Sequence, residues 1–227
     1  MLVFLGPLFI SQAQGQIKQL RNQPLYDKKP LHFGFHLGIN NYTLSYQLVE
    51  DLNAVPNVFG INAIPGPGYN INIISNLRLG KHFDLRFTPG FAATVRSLEV
   101  DMNNFAGDRI LKTYTVESSY LQMPLHLKFK SVRIDNYRMY LLGGIRYNND
   151  LSSKEKVLDD NLFKLKRHSA DFEVGVGADF YFEYFKFSPQ LRASWGMTNL
   201  LVQDGTDVVG AFEQVKNAAV LVNFTFE

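Results

Sequence analysis

The sequence predicts an all-β chain, an eight-stranded antiparallel transmembrane β-barrel with short periplasmic turns and long extracellular loops. Three observations predict it. Eight stretches alternate apolar and polar residues with a period of two, the apolar set is rich in Phe and Tyr, and little helical periodicity lies between the stretches. A sheet that repeats this pattern so often is best satisfied by closing on itself, with the apolar face toward lipid and the polar face inside. The 227 residues suffice for one domain of this kind. Aromatic residues make up 14% of the chain, with 19 Phe, which suits aromatic girdles at two membrane interfaces. No apolar run reaches the roughly 18 residues that a spanning helix needs.

Composition also excludes some functions. The absence of Cys removes disulfides and thiolate metal sites. A net charge of +2 is too small to argue for nucleic acid.

Residues 1–13 resemble a secretory signal peptide. Leu2 to Ile10 is apolar apart from Gly6 and Pro7, and Ser11-Gln12-Ala13 supplies small residues for cleavage after Ala13, although a basic leading segment is missing. Residues 14–30 are polar and aperiodic and read as a periplasmic N-terminal arm. Residues 31–227 read as the barrel.

The first strand covers about His32–Tyr42, with Phe33, Phe35, Leu37 and Ile39 outward. The second, Tyr69–Leu79, has the clearest alternation: Tyr69, Ile71, Ile73, Leu77 and Leu79 oppose Asn70, Asn72, Asn76 and Arg78. The third runs from Phe83 to about Leu98, the fourth from Thr113 to Lys130, and the fifth from Asn136 to Asn148. The sixth spans His168–Phe182, the seventh Phe185–Met197, and the eighth Val215–Phe226. Each exceeds the roughly 9–11 residues of a tilted membrane strand. Connections alternate between short (80–82, 131–135, 183–184) and long (43–68, 99–112, 149–167, 198–214). An even strand number with this parity leaves both termini on the short-turn side. A short helix is expected near Tyr46–Val55.

The predicted interior is heavily charged. Arg78, Arg86, Arg96, Lys128, Arg138, Arg146, Lys186 and Arg192 point in, against Asp84, Asp171, Glu173 and Asp179. These residues admit an anion-selective pore, but an eight-stranded barrel is only wide enough for its own side chains, and buried charges must then pair. A packed network of ion pairs that locks the barrel is the better expectation.

His32, His36, His126 and His168 invite a metal or acid–base reading. His32 and His36 lie roughly 13 Å apart by strand rise, too far for one zinc ion. They are expected as hydrogen-bonded histidines of the interior, with no metal and no cofactor. An enzyme of the outer rim would draw on His168, Asp171, Asp150, Asp159 and Asp160, but no nucleophile elbow or paired-carboxylate spacing is present. No catalytic residue is assigned. Asp204-Gly205-Thr206-Asp207 lacks the rest of a calcium loop. Gly175-x-Gly177 lies inside a strand, where it relieves crowding rather than binding a nucleotide.

The segments Asn72–Lys81 and Asp84–Gly90, the run Tyr120–Ser131 (YLQMPLHLKFKS), and Tyr140-Leu141-Leu142-Gly143-Gly144 followed by Asn149-Asp150-Leu151 resemble the PorT-like outer-membrane barrels of Bacteroidetes, over about Phe33–Phe226. Gln122 stands where that pattern often has Glu. The terminal Val222–Glu227 resembles the final-strand signal read by the outer-membrane assembly machinery, with its aromatic one place early. The resemblance implies a non-enzymatic component of the type IX secretion system, linked in some members to gliding motility. It implies outer-membrane lipid and other secretion proteins as partners, with no nucleic acid or small-molecule substrate. A structural or adhesion barrel and a small enzyme acting on lipid or peptide are the alternatives.

Overall fold

The computed structural model describes residues 21–49, 58–103, 108–153, 163–203 and 207–227. Among the described residues ten strands form one antiparallel sheet: β1 (Leu31–Leu48), β2 (Val58–Ile64), β3 (Gly66–Arg78), β4 (Phe83–Phe87), β5 (Gly90–Asn103), β6 (Arg109–Lys130), β7 (Tyr137–Asp150), β8 (His168–Tyr181), β9 (Lys186–Gly196) and β10 (Phe212–Phe226). The ring closes because β1 pairs with β3 on one side and with β10 on the other, from Phe35 opposite Phe226 to Leu48 opposite Phe212.

Ten strands reduce to eight staves, because β2–β3 and β4–β5 are each one stave with an interruption. Phe87 faces Leu125 and Gly90 faces Gln122, so the register along β6 is unchanged across Thr88-Pro89. The interruption reflects the N–H that Pro89 lacks, and neighbours compensate: Ile73 donates to the Pro89 carbonyl at 2.9 Å and Thr88 to the Pro124 carbonyl at 3.0 Å. At Pro65 the register slips. Gly68 faces Thr94 but Ile64 faces Ser97, which leaves one residue extra on the β2–β3 stave, as in a β-bulge. Gly66 makes this possible, since a Cβ there would sit 1.4 Å from the Val95 carbonyl oxygen.

The alternation sorts the side chains as its period requires. Phe33, Ile39 and Ile73 are 65%, 63% and 66% exposed, while His36, Asn72 and Asn76 between them are buried. At the short-turn end the outer face carries aromatic rings in contact: Phe35 with Phe226 at 5.3 Å, Phe187 with Phe226 at 5.4 Å, and Phe83 with Phe129 at 5.2 Å. An exposed apolar belt of this extent, bordered by aromatics and enclosing a polar interior, faces lipid.

Several expectations need correction. The segments 43–68 and 99–112 are not simply loops: β1 continues to Leu48, β2 occupies Val58–Ile64, and β5 and β6 extend to Asn103 and back from Arg109. Thr113–Lys130 gives way to a strand of 22 residues, about twice what a tilted spanning strand needs. The alternation in these extensions is blurred because residues on both faces can be apolar or polar once the strand leaves the lipid. Tyr46–Leu48 is strand rather than helix, and Val49 donates its N–H to the Ala211 carbonyl; residues 50–55 of that expected helix fall outside the described residues, as do residues 1–20 with the signal peptide and part of the arm.

Beyond the ionic interior, the inward face turns apolar. Leu44, Leu98, Val100, Tyr114 and Val215 from the extended strands meet Phe163, Leu165, Leu200, Leu201, Val208 and Val209 from the two remaining long connections. A four-residue helix, α1 (Asp207–Gly210), contributes the last two. The long-loop end is therefore stoppered by a core like that of a water-soluble protein.

Candidate functional site: a sealed ionic interior

The charged residues of the interior are stacked in layers, because inward positions of neighbouring strands share a level. At the short-turn mouth lies Glu227, whose side chain turns in from the end of β10. Its carboxylate accepts from Arg86 at 2.6 Å and Lys186 at 2.7 Å. One layer up, Asp179 is held by Lys128 at 2.8 Å, Arg138 at 3.3 Å and the Ser188 hydroxyl at 2.6 Å. The Lys128 ammonium also rests 3.6 Å from the centre of the Tyr140 ring. That ring lies against Gly177, where a Cβ would come within 2.4 Å of it.

Above this, Glu173 is shared by Arg146 at 2.6 Å, His126 at 2.6 Å and Arg192 at 3.3 Å. Arg192 in turn contacts His36 at 3.3 Å. Arg146 uses its second nitrogen on Asp171 at 2.7 Å, and Asn148 donates to the same carboxylate oxygen at 2.7 Å. Arg96 lies nearest the apolar stopper and donates to the Tyr120 hydroxyl at 2.8 Å, with no carboxylate partner among the described residues. All these ions are buried, so each carries a desolvation cost of several kcal/mol that multiple short contacts offset.

Eleven of the twelve expected interior charges are buried: Asp84, Arg86, Arg96, Lys128, Arg138, Arg146, Asp171, Glu173, Asp179, Lys186 and Arg192. Arg78 is different. It ends β3 at the rim, where it donates to the carbonyls of Gly80, at 3.1 Å, and Asp27. His168 also departs from expectation. It lies on the outer face, stacked on Tyr147 and hydrogen-bonded to its hydroxyl at 2.7 Å. The parity of β8 explains this, because Asp171 and His168 are three residues apart and so take opposite faces. The structure does not bring them together. Asp150 accepts from the backbone N–H groups of Ser119 and Ser152 at 3.2 and 3.0 Å, while Asp159, Asp160 and residues 204–206 lie outside the described residues. Among the described residues no three His, Asp or Glu side chains converge as metal ligands.

The described part of the arm, residues 21–30, plugs the short-turn mouth. A single 3₁₀ turn, Tyr26–Lys28, places two side chains into it. Tyr26 stacks on His32 at 4.0 Å and receives a hydrogen bond from Lys186 at 2.8 Å. Burial, reinforced by the adjacent Glu227 carboxylate, pushes the Tyr26 hydroxyl far up, so it remains a proton donor. Asp27 accepts from Arg138 at 2.9 Å and lies 3.6 Å from Arg133. Asn22 ties the chain to the β7–β8 side, donating to Asn136 at 2.8 Å and to the Tyr181 carbonyl at 3.0 Å.

Sequence reasoning missed four participants. Lys130, paired with Asp84, and Glu227 were both legible, since strict parity from Gln122 and from Asn223 puts them inward. Tyr26 and Asp27 gave no periodic signal.

Comparison with known proteins gives a family match and fold-level neighbours. The family described as outer membrane protein beta-barrel domain matches residues 12–202. Among solved structures, the attachment invasion locus protein Ail of Yersinia pestis, in complex with the heparin analogue sucrose octasulfate, is 12% identical, with 86% of this chain and 96% of that one covered at a TM-score of 0.40. The outer membrane protein OprG of Pseudomonas aeruginosa is 11% identical, with 85% and 92% covered at a TM-score of 0.42. No curated protein matches. A family match across most of the length, on a closed ring of strands with an apolar exterior and an ionic interior, makes this chain a member of the outer membrane protein beta-barrel domain family.

Proposed function

We propose that the protein is a non-enzymatic barrel that works by contact with other proteins, as a component required for protein secretion by the type IX system, with both termini in the periplasm. One observation carries the contact reading. The interior is blocked at both ends, by the Tyr26–Asp27 plug at the short-turn mouth and by the Phe163–Val209 core at the other. A bore filled this way leaves the outer surfaces for function. The long strands support the same reading, because β6 alone would extend roughly 70 Å at the usual rise, well past an apolar band about 25 Å tall.

The secretion role rests on the resemblance of Tyr120–Ser131 and its neighbouring segments to PorT-like barrels. Deletion of the gene tests it. Loss of secretion of C-terminally tagged cargo, restored by the wild-type chain, is expected. Normal secretion would leave a structural or adhesion barrel, a reading favoured in its own right by the projecting β5–β6 hairpin. Planar-bilayer recordings test the sealed interior, with no steady conductance expected.

A further inference from the structure

Between the plug and the turns after β3 and β6 lies a cavity of about 220 Å³ that the ion-pair layers do not use. Arg78, Lys81, Lys130, Arg133 and Arg138 line it, with Asp27 as its carboxylate. Their partners are unevenly shared. Lys130 has Asp84, and Arg138 has Asp27 and Asp179, the latter also claimed by Lys128. Asp27, at 3.6 Å, is the one carboxylate near Arg133 among the described residues, and Arg133 also donates to the Asp135 carbonyl at 2.8 Å and to the Asn22 carbonyl, while Arg78 bonds backbone carbonyls alone. Lys81 is exposed, with no carboxylate partner among the described residues. Five cations thus meet three carboxylates, and the excess falls on Arg78 and Lys81.

The walls are fixed. Lys130 donates its N–H to the His82 carbonyl at 2.7 Å, and His82 Nδ1 lies 3.0 Å from the Lys130 carbonyl. Val132, 64% exposed, is part of the cavity lining, and the lining residues His82 and Lys130 directly adjoin Phe83 and Phe129, whose rings pair on the outer apolar face at 5.2 Å.

We propose that this cavity binds a phosphate group, and that its source is the headgroup of a membrane phospholipid whose acyl chains run up the Phe83–Phe129 face. Guanidinium forks and a mobile ammonium suit phosphate oxygens, and a fixed cationic pocket at a membrane interface suits a lipid that presents one. The proposal rests on the lipid-facing reading of the outer surface, which flotation of the protein with vesicles checks separately.

The full chain, purified in detergent, is offered phosphatidylglycerol, diacylglycerol without phosphate, or inorganic phosphate, and retention is read by native mass spectrometry. Phosphatidylglycerol is expected to be retained over diacylglycerol. Lys81→Glu and Arg78→Gln, neither of which breaks an ion pair, should each weaken retention roughly fivefold. Retention of inorganic phosphate that the two variants weaken, with no preference for phosphatidylglycerol over diacylglycerol, would keep the phosphate site and overturn the lipid source. Equal retention of both lipids, unchanged in the two variants, would overturn the site even if the protein floats with vesicles.

Discussion

The Tyr26 hydroxyl donates to the Glu227 carboxylate at 2.7 Å, so a residue of the arm and the side chain at the far end of the sequence close the barrel mouth together. Glu227 is also the counterion of Arg86 and Lys186. Glu227→Ala would leave two buried cations short of a partner and should cost about 3–5 kcal/mol. Tyr26→Phe removes one hydrogen bond and should cost about 1 kcal/mol. Urea titration in micelles measures both, and an equal effect of the two would contradict the assigned roles.

The plug should be sensitive to acid. Burial pushes the Asp27 carboxyl up, but Arg138, which donates to it, and Arg133 and Lys130 outweigh burial and hold it below the ordinary carboxylate range. A carboxyl depressed in the docked state stabilises docking above its free value, near 3.9, and loses that contribution as pH falls through the docked value. Amide protection across residues 22–29 should therefore be flat at neutral pH and decline only below about pH 4. Asp27→Asn should weaken docking at neutral pH and flatten this dependence.

The partition between faces can be tested on β3. Ile73→Arg places a charge in the apolar belt and should cost about 2–4 kcal/mol if that position lies near mid-membrane. Arginine at a position on the projecting β5–β6 hairpin, such as Leu111, should cost almost nothing. Folding into vesicles, followed by the heat-dependent shift in gel mobility, reads the difference.

Gly66→Ala drives a methyl group into the Val95 carbonyl and should destabilise the bulged stave by about 1–3 kcal/mol. The loss should be local. Hydrogen exchange should rise along β2 and the adjoining part of β5, while β7–β9 stay protected.

The staves were legible wherever lipid lies on one side and ions on the other, as in Tyr69–Leu79, because a period of two then marks every position. The pattern failed where that contrast ends. Val58–Ile64 hides in an apparent loop since its burial does not alternate cleanly, and the Leu98–Val100 face serves a core that no periodicity announces. The interior charges could be assigned to a face but not paired from sequence, since Arg146 and Glu173 meet only through the register of β7 and β8. Tyr26 and Asp27 were invisible because a single 3₁₀ turn has no repeat.

The seam between β1 and β10 has a kinetic consequence. Phe35 and Phe226 come from opposite ends of the chain, so whichever end joins the sheet first waits for the other with half its backbone donors and acceptors unmet. Pairings this distant in sequence form slowly. Until they form, the Phe-rich strands expose sticky edges to any neighbour, and safe delivery of this protein calls for an escort that masks them.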